Sequence, residues 1–159
     1  MSGSEAAFES TVEHFGPRRD PAARAIMVGV DGSDTAMRAT AFAFGMARRQ
    51  GSLLIVAFVA AHSALAALTG PAAAAAHEAG VTLHSELREQ TRAAAEELGV
   101  PVAVLRAYGD PFTRLREAAD DSQVDTVIVG ASTSAGHRFA GSVATKLIRT
   151  GHWPVLVVP

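Results

Sequence analysis

A doubly wound α/β domain built on a parallel sheet is the architecture this sequence predicts, and three observations lead to it. Short apolar runs rich in Val and Ile, with few charges, alternate along the chain with amphipathic helical stretches. The runs are apolar at consecutive positions, as strands covered on both faces are. Gly and Asp-Pro mark the places where one kind of element gives way to the next. Parallel neighbours need right-handed crossovers, so five strands joined by four helical connections close into a three-layer sandwich.

Each element follows from its residues. Ala25 to Asp31 is a buried strand, after which Ser33 or Asp34 caps a helix whose inward face is Ala39, Phe42, Ala43 and Met46 and which Gly51 closes. Leu53 to Val59 is a second strand without a charge. The alanine-rich stretch from Ala60 to Gly80 is broken by Gly70-Pro71 and is expected to be a mobile connection with one or two helical turns. A helix from about Leu83 to Leu98 turns Leu83, Leu87, Ala94 and Leu98 inward, and Gly99 ends it. Pro101 to Tyr108 is the third strand. Asp110 as N-cap and Pro111 at the first helical position start the next helix, with Phe112, Leu115, Ala118 and Ala119 buried. The fourth strand, Val124 to Val129, runs into Gly130 and a loop of small residues. Gly141-Ser142 opens a helix through Arg149 that Gly151 ends, and Trp153 to Pro159 is the last strand. Residues 1–24 read as a flexible N-terminal extension and 25–159 as the domain.

Composition narrows the function classes. A chain of 159 residues with 48% hydrophobic and 19% charged positions supports one domain with one core. The formal net charge of -2, with Lys and Arg scattered, argues against a nucleic-acid footprint. No cysteine is present, so disulfides, thiolate nucleophiles and Cys-ligated zinc are excluded. Residues Met1 to Arg24 hold four acidic groups and no apolar run, and His62, Gly70 and Pro71 interrupt the alanine stretch, so a secretory signal and a membrane span are not expected. The expected location is cytoplasmic.

Ligands of such sheets bind beyond the carboxyl ends of the strands, where strand order reverses. Two loops have the position and composition for this, Val30-Asp31-Gly32-Ser33 and Gly130 to Ser142. The second ends in Gly141-Ser142-Val143 at a helix N-terminus, whose free N–H groups and dipole favour an anion. The plainer alternative is a turn at Gly141 with Ser142 as cap. Asp31 also has two readings: a carboxylate for ribose hydroxyls or a nucleotide-borne metal, or an Asx hydrogen bond that fixes its own turn.

At these residues the sequence resembles the universal stress proteins. The likeness is carried by Val28-Gly-Val-Asp31-Gly-Ser33, Gly109-Asp-Pro111, Val127-Ile-Val-Gly130, Gly141-Ser-Val143 and the closing Trp153-Pro-Val-Leu-Val-Val158, in that order, from Ala25 to Pro159. It implies a five-stranded sheet in the order 3-2-1-4-5, of the adenine nucleotide α-hydrolase-like type. In nucleotide-binding members the loop after the fourth strand follows Gly-x2-Gly-x9-Gly-Ser/Thr and wraps phosphates. On that pattern Asp31, with Gly32 and Ser33, fills the aspartate position, Val59 lies near the adenine backbone position, Gly130 is the first glycine, and Gly141, Ser142 and Val143 close the loop. ATP with Mg is the implied cofactor. The chain departs from the pattern at Thr133, where the second glycine belongs, and its loop is two residues shorter. Gly136, His137 and Arg138 offer a cradle in another register, against the alternative of a solvated loop. Two outcomes stay open, a nucleotide binder and a member that has lost the nucleotide and acts through protein contacts.

The resemblance also implies a homodimer in which Val155, Leu156, Val157 and Val158 pair with their copies, which would cover an apolar sheet edge. No catalytic residues are expected: Ser33, Ser132, Ser134 and Ser142 lack a nucleophile motif, and any ATP hydrolysis should be slow. His77 and His84 read as surface histidines without the ligands of a metal site, and Trp153 as packing. A receiver domain on the same scaffold would need an acidic pair at Asp31 and a lysine after the last strand, and the chain has neither.

Overall fold

The computed structural model describes residues 10–60, 69–132 and 141–159. Its elements are β1 (Thr11–Phe15), β2 (Ala25–Val30), α1 (Asp34–Gln50), β3 (Leu53–Ala60), α2 (Pro71–Leu98), β4 (Val102–Tyr108), α3 (Pro111–Asp121), β5 (Thr126–Gly130), α4 (Ser142–Thr150) and β6 (Val155–Val158). They form one sheet of six strands in the order β1-β4-β3-β2-β5-β6. The five strands from β2 to β6 run parallel to one another, and taken in chain order they reproduce the expected 3-2-1-4-5 arrangement.

The sixth strand is the difference. Thr11–Phe15 falls within the segment read as a flexible extension, yet it pairs antiparallel with β4, from Thr11 opposite Arg106 to Phe15 opposite Val102. Its sequence, TVEHF, is short and mostly exposed, so hydrophobic period alone does not mark it. It is held by Phe15, which packs against the core, and by a turn at Gly16 with φ 76°. A β-carbon at Gly16 would come 2.3 Å from the Val100 carbonyl oxygen, so only glycine fits there.

Alternation along the strands builds a core on each face. Ile26, Val28, Leu54, Val56, Phe58 and Val104 meet α1 and α2, while Met27, Ile55, Ala57, Val127 and Val129 meet α3 and α4. The expected caps hold. Ser33 caps α1, Asp110 caps α3 with Pro111 behind it, and Gly51, Gly99 and Gly151 close their helices in the left-handed conformation.

Two helical readings need correction. Phe42 is 41% exposed, and the inward stripe of α1 is Ala36, Ala39, Ala43 and Ala47, with Phe44 buried beside it and facing the α1–α2 groove. The second concerns α2, which starts at Pro71 rather than Leu83. Gly70-Pro71 begins the helix instead of breaking it, because proline at the first position forfeits no hydrogen bond and its φ is already helical. From Pro71 to Glu86 no residue of α2 is buried, and Leu83 is 40% exposed. Burial begins at Leu87 and continues through Thr91 and Ala95.

Candidate functional site

The carboxyl ends of β2 and β5 are joined by one hydrogen bond. Thr35, buried in the first turn of α1, donates its hydroxyl to the Ala131 carbonyl at 2.7 Å, 96 residues away in sequence. Ala131 in turn donates its N–H to the Val158 carbonyl at 2.7 Å, so the first loop, the fourth loop and the last strand are fixed to one another. Gly130 makes this approach feasible, since a β-carbon there would lie 2.6 Å from both the Ala36 nitrogen and the Thr35 carbonyl carbon. Gly141 is similarly crowded, with Ser132 Cβ 2.9 Å from where its own would stand.

The resulting recess encloses about 240 Å³ and is lined by Asp31, Ser33, Thr35, Gly130, Ser132 and the first turn of α4, Ser142 to Ala144. Gly141 is the N-cap of α4 and, as a glycine, brings no side chain of its own to cap that helix. Ser142 is therefore its first residue and exposed, which corrects the reading of Ser142 as cap. With a glycine at the cap, the first-turn N–H groups receive no bond from the cap residue's own side chain, and the N-terminus of a helix favours an acceptor from outside it. At the floor, the Asp31 carboxylate accepts from the Ser33 N–H at 2.9 Å, and Ser33 Oγ accepts from the Ala36 N–H at 3.2 Å. Asp31 thus makes the Asx bond of its own turn, and it remains exposed, with acceptor capacity to spare.

A second cavity, of about 200 Å³, opens on the other side of Asp31. Val30, Phe58 and Val59 form its sheet wall, Arg106 and Tyr108 its end on β4, and the unburied half of α2 its roof. That roof explains why Val81 and Leu83 are exposed: they face this open space.

His84 also lines the cavity and is not the surface histidine its sequence context suggests. It is half-buried, its ring meets Phe58 edge to face at 5.3 Å, and Nε2 is buried with no hydrogen-bond partner among the described residues. Burial, followed by the charge of Arg106, lowers its pKa below the ordinary value. His77 is exposed on the same roof. Among the described residues no three His, Asp or Glu side chains converge as a metal site would require.

Of the residues singled out from the sequence, Asp31, Ser33, Gly130, Gly141, Ser142 and Val143 line the recess and Val59 the cavity, with Asp31 common to both. Gly32 shapes the turn between them with φ 84°. Thr133, Gly136, His137 and Arg138 lie outside the described residues. Val155 to Val158 form β6 at the sheet edge. Sequence reasoning missed Thr35, Arg106 and Tyr108. Arg106 left a readable signal, being the one charge in the strand Val102–Tyr108.

Comparison with known proteins matches residues 22–159 to the model of the universal stress protein family. The chain belongs to this family. Among universal stress proteins, MJ0531 of Methanocaldococcus jannaschii is 28% identical over 138 residues, covering 84% of this chain and 80% of that one. The solved UspA of Lactobacillus plantarum is 25% identical with a TM-score of 0.65, over 88% of this chain and all of that one. A universal stress protein solved in complex with cAMP is 26% identical with a TM-score of 0.59, over 86% of this chain and 96% of that one. No helix among the described residues is long and apolar enough to cross a membrane.

Proposed function

We propose that this universal stress protein is a cytoplasmic, dimeric binding module that takes a purine nucleotide across Asp31. Adenine nucleotides, ATP with Mg included, are the first candidates. The reading rests chiefly on the tie from Thr35 to Ala131, which sets an aspartate between an apolar cavity sized for a base and a recess that ends on a glycine-started helix N-terminus. Ribose hydroxyls donate to Asp31, and phosphates accept from the first turn of α4. The cAMP held by one solved relative supports the ligand class. Magnesium enters on the phosphates.

Binding without turnover fits the chemistry of the recess. Asp31 is the one carboxylate among its described lining residues, and no histidine stands beside it there to share acid–base work. The dimer reading rests on β6, an apolar strand at the edge of the sheet. A second reading, a member that has lost nucleotide binding, is favoured by Thr133 and the shortened loop.

Calorimetric titration with ATP and Mg, and with AMP, distinguishes the two. Saturable binding that weakens about tenfold or more in Asp31→Asn, which keeps an acceptor for the Ser33 N–H but loses the charge, supports the nucleotide reading. No heat at millimolar nucleotide leaves the protein-contact reading.

A further inference from the structure

Helices α1 and α4 both pack on β6, and each leaves one large apolar side chain outside the core. Phe42 of α1 is 41% exposed and Ile148 of α4 is 51% exposed. Helix geometry places both beside the open edge. Met37, Thr40, Ala41 and Phe44 take the flank of α1 that faces α2, so Phe42 lies on the other flank, one turn beyond Arg38. Arg38 donates from Nε to the Pro159 carbonyl at 2.8 Å, which ties that flank to the end of β6. In α4, Ala144 and Leu147 are buried, and Lys146 reaches toward α3 with Nζ 5.7 Å from the centre of the Phe112 ring. Ile148 is thereby left on the side away from α3. Between the two, Leu156 and Val158 pack on the α1 face and Val155 and Val157 on the α4 face. All four stay only half-buried, because no strand stands beyond β6 among the described residues. The other large apolar residues left exposed are accounted for elsewhere: Val81 and Leu83 face the cavity, and Val12 lies on the opposite edge strand.

We infer that Phe42 and Ile148 are the anchors of a two-fold interface, each set against the same residue of a second copy of this chain. This rests on the dimer reading and deepens it. Four residues of paired strand cover only a small part of the roughly 800 Å² per partner that a stable complex buries, so the strand edge alone does not suffice. The apolar strip from Phe42 across β6 to Ile148 supplies the remainder. Antiparallel pairing of β6 with its copy puts the two-fold axis through the sheet, and rotation about that axis joins each face of one sheet to the same face of the other. Helix α1 then confronts α1, and α4 confronts α4, across edge strands about 4.8 Å apart. A side chain on either flank meets its own copy, as an isologous contact demands. Apolar groups tolerate that meeting, whereas a charge would oppose itself.

The test is sedimentation equilibrium of the full chain, with thermal melts to establish that each variant is folded. The parent is expected as a dimer. Phe42→Asp and Ile148→Asp should each raise its dissociation constant about tenfold or more, since every change is present twice in the complex. Val12→Asp, at the opposite edge of the sheet, should leave the constant within about twofold. Ile148→Lys should weaken the dimer as Ile148→Asp does. An equimolar mixture of those two variants should assemble about tenfold or more tightly than either alone, because each Asp then faces a Lys. A parent dimer that withstands either Asp change at Phe42 or Ile148 overturns the inference, as does a mixture that gains nothing or a Val12→Asp that weakens the dimer equally. In each of those cases a dimer lost in Val157→Pro still upholds assembly through β6. A parent that runs as a single chain removes the dimer reading and the inference together.

Discussion

Glu13 and Arg88 close a joint between β1 and α2: the carboxylate accepts from Nε and from Nη2 of the guanidinium, the second at 2.9 Å. The same guanidinium lies over the Phe15 ring, 5.1 Å from its centre, so one arginine holds two residues of the added strand. The bond to Arg88 also holds the Glu13 carboxyl below its ordinary range. Both side chains are more than a third exposed, so the pair anchors the strand locally and adds little to global stability. Hydrogen exchange is expected to quicken at residues 11–15 in Glu13→Gln and in Arg88→Ala, and no further in the double variant, while the urea midpoint barely moves. Unchanged exchange in both single variants would show that the strand does not depend on this pair.

Lowering the pH should weaken the fold through His84. Its folded pKa lies below the unfolded value of 6.5, so as pH falls through 6.5 the unfolded chain takes up a proton that the folded one refuses, and stability is lost. The charged groups that set this shift are Arg106 on β4 and Arg88 on α2, opposed by Glu13 on β1. Thermal melts between pH 7.5 and 5.5 should show a falling midpoint in the parent and a flatter profile in His84→Gln. Glu13, whose folded pKa is lowered, loses its contribution only as pH falls below 4.5, outside this window. Equal slopes in parent and variant would rule out His84 as the source.

Gly130 tests the meeting of the two loops. A methyl group there has to displace backbone at the start of α1, and overpacking of this kind costs about 1–3 kcal/mol. Gly130→Ala should lower the denaturant midpoint accordingly and weaken any nucleotide binding with it. Gly70→Ala is a poor control because φ there is 63°; Gly80→Ala, in open space within α2, should be neutral or mildly stabilising.

The free edge of β6 can be tested without disturbing the sheet. The carbonyls of Pro154 and Val158 accept from Val127 in β5 and from Ala131 just beyond it, so the residues between them in alternation, Val155 and Val157, turn their N–H groups outward. Val157→Pro removes one outward donor. Light scattering should find the parent at about twice the 16.4 kDa chain mass and the variant near the single-chain value. A parent that runs as a monomer, or a variant that stays dimeric, contradicts assembly through this edge.

The parallel sheet was legible because its strands are uninterrupted apolar runs and its helices carry proper caps. Ser33, Asp110 and Gly51 announce their roles by residue type and position. The recess was legible in part for the same reason, since Gly130, Gly141 and Asp31 sit at strand and helix ends. What escaped depends on partners distant in sequence. Thr35 looks like an ordinary first-turn threonine until Ala131 is placed beside it, and His84 looks solvated until Phe58 and Arg106 close around it. Strand β1 has too few apolar residues to announce itself and owes its place to β4 and Arg88. The start of α2 was misplaced because Gly70-Pro71 serves equally to stop a helix or to begin one.

The lopsided burial of α2 has a mechanical consequence. A helix of 28 residues spans about 42 Å, and its anchors, Leu87, Thr91 and Ala95, all sit toward one end. Beyond them the helix reaches over the cavity with only light support, the His84 ring on Phe58 and Leu83 beside Gly32, and its first turns are carried by the stiffness of their own backbone ladder. A kink near Gly80 would therefore swing Ala76 and His77 at the outer lip of the cavity while leaving His84 in place on Phe58.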